Sequence, residues 1–338
     1  MPSAIPNLGE GNTPLISSVR TPSLLFKLEN CNPSGSYKDR FASAEVARLV
    51  SEGATACLAT SSGNTGSALA AYCARADVRC MIFVNKDAPA GKLAQMQAHG
   101  ANVVRVAGFA ASMAVTRSVF AGLFDLSQEF GAPLVVSAYR FCPVGMSSVE
   151  GISRELCAQY PGVRHVFVPV GGGGLFSAVC RGFLSQGRRD VKVHAVQPAG
   201  CLTTVASFLR GDSEIRDVES TTRVSGLSVP DDIDASLALS LLRESGGQGI
   251  AVTDEEVFAA QAELLSREGV YCEPAGATAL AGYLQARRDG FVSEDETSVC
   301  LVTGHGFKDP VSIERTAAMH PSVTIEPGEV RETFLRLR

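Results

Sequence analysis

HVFVPVGGGGLFSAVCRGFL, residues 165–184, joins three signals without a break. After His165, the next five residues are apolar, the pattern of a short strand buried on both faces. Gly171, Gly172, Gly173 and Gly174 then form a turn, and Gly174 opens an apolar helix. A strand that runs through a tight turn straight into a helix is the opening of a β-α-β unit, which requires a parallel sheet. Four glycines in a row also leave bare main-chain N–H groups at a helix N-terminus, where side chains would otherwise exclude a phosphate. The run is neither GxGxxG nor a Walker loop, because the spaced pattern and the GK[ST] are missing.

The same alternation extends in both directions. Strands are expected at 24–29, 56–60, 79–84, 102–106, 165–170, 192–197 and 298–303. Helices are expected at 39–51, 65–76, 90–99, 111–130, 145–159, 174–187, 201–209, 234–243, 254–268 and 275–288. Thr253-Asp254 supplies a cap with acids in the first turn, and the charged stretch 210–232 reads as a loop or surface segment. The fold class is α/β: two open, twisted, mainly parallel sheets flanked by helices. Residues 50–140 are expected to form a smaller, mobile domain that closes over substrate, and 1–49 with 141–338 the larger, cofactor-binding one.

Composition removes several classes of function. The chain has 338 residues, ordinary soluble hydrophobicity and a net charge of −5, which offers nothing to a phosphate backbone, so nucleic acid is not an expected partner. No apolar run reaches the roughly 20 residues of a membrane span. The start has neither a basic nor an apolar signal region, which points to the cytoplasm. Ten cysteines without a CxxC read as reduced thiols packed as small hydrophobes. No metal site is expected, since the five histidines stand far apart in the sequence and far from any cysteine pair.

Four loops carry chemistry. NPSGSYKDR (32–40) places Lys38 where a helix begins, the end of the helix dipole that disfavours a cation; Lys38 is therefore not meant to be a plain ammonium. TSSGNTG (60–66) gathers hydroxyls, an amide and helix N-terminal N–H groups into a carboxylate receptor. The glycine run is the third loop. LVTGHGFKDP (301–310) puts Thr303 at the carboxyl end of a late strand, the edge where open α/β sheets bind ligands. His305 is the best placed histidine, although a lone histidine is more often a structural hydrogen-bonder. A lysine, a phosphate cradle, a carboxylate receptor and a polar strand end together suit pyridoxal 5′-phosphate, whose aldehyde bonds an amine and whose ring accepts electrons.

NPSGSYKDR, SSGNTG, GGGGL, EPAGA and TGHGFKDP, in that order over nearly the whole chain, resemble the fold-type II pyridoxal-phosphate enzymes of the tryptophan synthase β superfamily. EGNTPL, GKLAQMQAHGA and TGHGFKDP are most similar to its threonine synthase branch. The resemblance implies a cofactor in the cleft between two domains and Lys38 as Schiff-base lysine and general acid/base. By the same resemblance, Asn64 bonds the ring hydroxyl, and Ser61, Ser62 and Thr65 hold the substrate carboxylate. Gly171 to Gly174 hold the phosphate and Thr303 the pyridine nitrogen. It further implies elimination or replacement at the β- or γ-carbon of a small amino acid with an activated, phosphorylated side chain, and a homodimer.

The chain departs from that branch on the substrate side. PLVVSAYRF (133–141) keeps Tyr139 and Arg140 but lacks the asparagines the branch carries there, and CPVGMSSVEG (142–151) also differs. Arg140 retains an anion-binding option, since a guanidinium forks onto phosphate, sulfonate or carboxylate. The alternatives are β-replacement of the cysteate or cysteine synthase kind, serine/threonine ammonia-lyase chemistry, a noncatalytic cofactor-binding regulator, or a nucleotide-binding α/β protein using the glycine run.

Overall fold

The computed structural model describes residues 6–109 and 113–338. Ten strands occur in chain order: β1 Leu15–Ser17, β2 Leu24–Lys27, β3 Ala56–Ala59, β4 Arg79–Asn85, β5 Asn102–Val106, β6 Leu134–Val135, β7 His165–Pro169, β8 Lys192–Pro198, β9 Gly249–Val252 and β10 Ser298–Leu301. The first helices are α1 Lys38–Ser51, α2 Asn64–Ala76, α3 Ala90–Ala98, α4 Met113–Phe130, α5 Pro143–Val149 and α6 Gly151–Gln159. They are followed by α7 Gly174–Ser185, α8 Thr204–Arg210, α9 Ala235–Ser245, α10 Asp254–Arg267, α11 Pro274–Arg288, α12 Pro310–Ala317 and α13 Val330–Leu337.

The strands form the two mainly parallel sheets expected. One has the order β1-β2-β10-β7-β8-β9, antiparallel only between β1 and β2; the other, β5-β4-β3-β6, is wholly parallel. Alternation along the central strands distributes the core. Val166 and Val168 of β7, Val299 and Leu301 of β10, and Leu25 of β2 face α1, α5, α6 and α7. Phe167, Cys300, Leu24 and Phe26 point the other way, toward α10 and α11. Phe167 meets the Tyr283 ring edge-on at 5.5 Å, and burying such a ring contributes about 3 kcal/mol. The first of these clusters continues through α1 into Leu69, Tyr72 and Ile82, so the helix layer carrying Lys38 shares one core with the smaller sheet.

Several expectations need correction. The helix expected at 145–159 is two, α5 and α6, because the chain turns tightly at Glu150, whose carbonyl accepts Ser153 N–H at 3.1 Å. β1, β6 and β9 were not anticipated; with two to four residues each, they carry too little periodicity to read. The helix expected at 111–130 begins within the described residues at Met113, its first two positions lying outside them. The stretch 210–232 is not merely a surface segment, since Val224 and Leu227 are buried. Sequence separation also misled about the histidines: β7 and β8 are neighbours, and His165 Nδ1 lies 2.9 Å from His194 Nε2. Thr253 does cap α10, in a reciprocal capping box with Glu256. Among the described residues no helix is long and apolar enough to cross a membrane.

Candidate active site

One cavity of about 500 Å³ lies where the carboxyl ends of strands from both sheets converge. β3 delivers Ser61 and Ser62 and starts α2 at Asn64 and Thr65; β7 delivers Gly171, Gly172, Gly173 and Gly174. Thr303 follows β10, and Lys38, the first residue of α1, reaches the same space. Ten of the eleven residues singled out from the sequence thus line one cavity.

Lys38 is held from both sides of its own turn. The Asp39 carboxylate accepts Ser34 N–H at 2.9 Å and Ser34 Oγ–H at 2.7 Å, which pins the turn before the helix. Arg40 donates to both oxygens of Glu29 at 2.8 Å and to Glu155 at 2.7 and 2.8 Å, which pins the first turn of α1 to the sheet. The amine itself donates to Ser137 Oγ at 2.6 Å and lies 4.7 Å from the centre of the Tyr37 ring. Ser137 in turn lies 3.0 Å from Thr65 Oγ1. Among the described residues no carboxylate is at ion-pair distance from Lys38, so the amine is kept by hydroxyls that accept or give a proton rather than by a fixed counter-charge.

In the same cavity lining, the glycine turn offers main-chain donors. The N–H groups of Gly171 to Gly174 have no hydrogen-bond acceptor among the described residues. Gly173, the cap of α7, has φ 96°, and a Cβ there would stand 2.6 Å from the Asp234 carbonyl oxygen. Any other residue would push this turn off Asp234, whose carboxylate also accepts Tyr139 N–H at 2.7 Å and Arg140 N–H at 3.2 Å. Unpaired N–H groups at the positive end of a twelve-residue helix form a receptor for a phosphate.

A third group spans the cavity between the sheets. Asn64 Nδ2 donates to Glu273 Oε1 at 2.6 Å. Burial pushes the Glu273 carboxyl up, opposed by the Asn64 bond and by the Lys308 charge. Burial likewise pulls Lys308 down to about 8, opposed by Glu273 and Asp39, and its amine donates to Gln95 Oε1 at 2.6 Å. A carboxylate accepts only, so Glu273 fixes the nitrogen of the Asn64 amide toward itself.

One of the eleven does not meet at this site. The Arg140 side chain is exposed, lies beside the Phe141 ring at 5.8 Å and does not line the cavity. Its main-chain N–H, tied to Asp234, sets that direction. His305 does not line it either; its Nδ1 accepts Phe307 N–H at 3.4 Å while the ring packs between Tyr271 and Phe307, a structural role. Ser137, Glu273, Lys92 and Ser225 line the cavity and were not singled out from the sequence. Ser137 follows β6, too short to be recognised, and Glu273 opens the EPAGA stretch, whose composition alone does not mark a site residue. Away from the cavity lining, Cys57, Cys73 and Cys80 bring their sulfurs within 4.8 Å of one another in the apolar core, and all ten cysteines are free.

An amine with no carboxylate at ion-pair distance among the described residues, four unpaired N–H groups in the same cavity and a hydroxyl at a strand end fit a phosphorylated aldehyde. The chain belongs to the pyridoxal-phosphate dependent enzyme family, whose model matches residues 6–304. Its cofactor is pyridoxal 5′-phosphate. It is similar to the threonine synthase of Methanocaldococcus jannaschii, 32% identical over 91% of this chain and 78% of that one. It is equally similar to that of Halalkalibacterium halodurans, 32% identical over 94% and 88%. Among solved structures, maize serine racemase shares the fold with a TM-score of 0.78 at 23% identity, covering 92% of each chain. The serine racemase of Dictyostelium discoideum superposes with a TM-score of 0.73 at 27% identity, over 88% of this chain and 92% of that one.

Proposed function

We propose that the protein is a lyase or synthase that eliminates or replaces a group at the β- or γ-carbon of a small amino acid with an activated side chain. The leading reaction is of the threonine synthase kind, in which O-phosphohomoserine and water give threonine and phosphate. The observation that carries the reading is the Lys38 amine, bonded to the Ser137 hydroxyl and sharing one cavity with four unpaired glycine N–H groups. The similarity to threonine synthases over nine-tenths of the chain favours the particular reaction.

When bound, pyridoxal phosphate supplies an aldehyde for the amine and a ring that spreads the electron pair left when a proton leaves the α-carbon. The chain's own residues do the rest. Lys38 would hold the aldehyde end of the group and would take and return a proton at the substrate α-carbon, with the Ser137 hydroxyl at its amine and Thr65 beside Ser137. Gly171 to Gly174 would hold the phosphate, Asn64 the ring hydroxyl, and Ser61, Ser62 and Thr65 the substrate carboxylate. Thr303 would offer the ring nitrogen a hydroxyl instead of a carboxylate, a partner that would leave the nitrogen unprotonated and favour elimination and replacement over transamination. Residues 50–140 act as the smaller domain, bringing 60–66 onto the carboxylate as it closes.

A second reading is β-chemistry on serine-type substrates. The absence of Arg140 from the cavity and of asparagines at 133–141 supports it, because the phosphate-binding side departs most from the threonine synthase pattern. Incubation of the holoenzyme with O-phosphohomoserine, O-phosphoserine, serine and threonine, read by mass spectrometry, separates the two. Threonine and phosphate from O-phosphohomoserine are expected. A keto acid from serine or threonine, with O-phosphohomoserine untouched, would establish the second reading instead.

A further inference from the structure

With Arg140 outside, the cavity needs another group to meet an anionic side chain, and it contains one. Its lining carries three lysines, Lys38, Lys92 and Lys308, against the single carboxylate of Glu273. Two of the lysines are committed. Lys38 faces the cofactor position, and Lys308 is bonded to Gln95 between the charges of Glu273 and Asp39. Lys92, on the first turn of α3, is different. Its amine donates to Ser225 Oγ at 2.6 Å, and among the described residues no carboxylate lies at ion-pair distance from it. It is half-buried, and its charge reaches Glu273 across the cavity.

An ammonium has three donors. The bond to Ser225 uses one, leaving two for an oxyanion, and the Ser225 hydroxyl is a further donor once an anion competes for the amine. Ser225 itself is fixed against the cofactor side. It opens the 3-10 turn Ser225–Leu227, and a Cβ on Gly171 would stand 3.3 Å from the Gly226 carbonyl oxygen. The amine thus belongs to α3, on the smaller-sheet side, while the hydroxyl belongs to the segment packed on the glycine turn. An anion between them would touch both walls of the cavity.

We propose that Lys92, together with Ser225, receives the anionic end of the substrate side chain (phosphate, sulfonate or carboxylate) and so selects for amino acids that carry one. This rests on the elimination or replacement reading above. It assigns the selectivity to a point charge on α3 in place of the guanidinium of Arg140. A compact ammonium attracts an oxyanion without the fork geometry that a guanidinium imposes, so the site accepts more than one anion shape.

The experiment compares wild type, Lys92→Gln, Lys92→Arg and Arg140→Gln holoenzymes. KM and kcat are measured with O-phosphohomoserine and O-phosphoserine, and the affinity for serine and threonine from the cofactor absorbance. Lys92→Gln is expected to raise KM for the phosphorylated amino acids about tenfold or more, the size of a lost charged hydrogen bond, with kcat little changed. The affinity for serine and threonine should stay in place, and Lys92→Arg should recover most of the loss. An equal loss for neutral and anionic amino acids would overturn the proposal, making Lys92 a tie between α3 and residue 225. So would a rise in KM confined to Arg140→Gln. If no phosphorylated amino acid perturbs the wild-type absorbance while serine does, the phosphorylated-substrate reading falls and this inference falls with it. If phosphorylated amino acids react normally in Lys92→Gln, only the inference falls.

Discussion

Glycine at 304 decides whether Asn64 faces the cavity correctly. A Cβ there would stand 2.0 Å from Glu273 Oε1 and 3.1 Å from Asn64 Nδ2, so any side chain displaces the carboxylate that holds the amide. Glu273 is buried and has little room to yield. The backbone at 304 is not in the left-handed region, so substitution introduces the contact without conformational strain. Gly304→Ala is therefore expected to weaken cofactor binding about tenfold or more, as loss of a buried hydrogen bond to a charged group does. Fluorescence titration of the apoenzyme with pyridoxal phosphate measures this; wild-type affinity would show that the Asn64–Glu273 bond does not position the cofactor. Lys38 could be read from the sequence because a lysine at a helix start contradicts a simple electrostatic rule. Glu273 could not, because its role depends on Asn64, 209 positions away.

Three elements meet in a buried charge network that fixes the start of α1. Lys27 of β2 donates to Thr13 O at 2.8 Å, Glu155 Oε2 at 2.6 Å and Gln159 Oε1 at 2.9 Å, while Arg40 of α1 joins Glu29 to Glu155 of α6. Burial pulls the Lys27 ammonium down, but its three acceptors satisfy the charged form. Burial also raises Glu155, yet Arg40 and Lys27 outweigh it and bring the carboxyl from 4.5 to about 2. A carboxyl depressed on folding contributes stability that is complete above its unfolded pKa and lost as pH falls through the folded one. Stability should therefore decline between about pH 4.5 and 2 in part through Glu155. Glu155→Ala should cost about 3–5 kcal/mol at neutral pH, because it leaves the buried Lys27 ammonium without its ion-pair partner while Arg40 keeps only Glu29, and should flatten that decline. Urea unfolding at several pH values tests both; an unchanged slope in the variant would remove Glu155 from the account. The strands and helices that build this junction were largely legible, because β2, β7 and β10 are short, mostly apolar runs with one polar residue at an end. The break between α5 and α6 was not, since Gly151 there serves packing against Arg40 and leaves no mark in the periodicity.

At the scale of the molecule, two sheets present their carboxyl ends to one cavity, and the order of strands determines which loops become neighbours. Placing β10 between β2 and β7 brings Thr303 beside the glycine turn and the start of α1. Loops that announce themselves by composition could therefore be assigned from the sequence. Residues brought in by the two-residue strand β6 or by the long segment after α8 could not, and Ser137 and Ser225 are the examples. Arg140 lies outside the cavity lining for a related reason: its backbone N–H is tied to Asp234, and its side chain is exposed. The central claim is the covalent bond between Lys38 and the cofactor, and borohydride reduction of the holoenzyme followed by trypsin and mass spectrometry tests it most directly. The predicted result is loss of cleavage after Lys38 and a peptide covering 28–40 that carries the reduced cofactor; an unmodified peptide ending at Lys38, or an adduct on Lys92 or Lys308 instead, would contradict it.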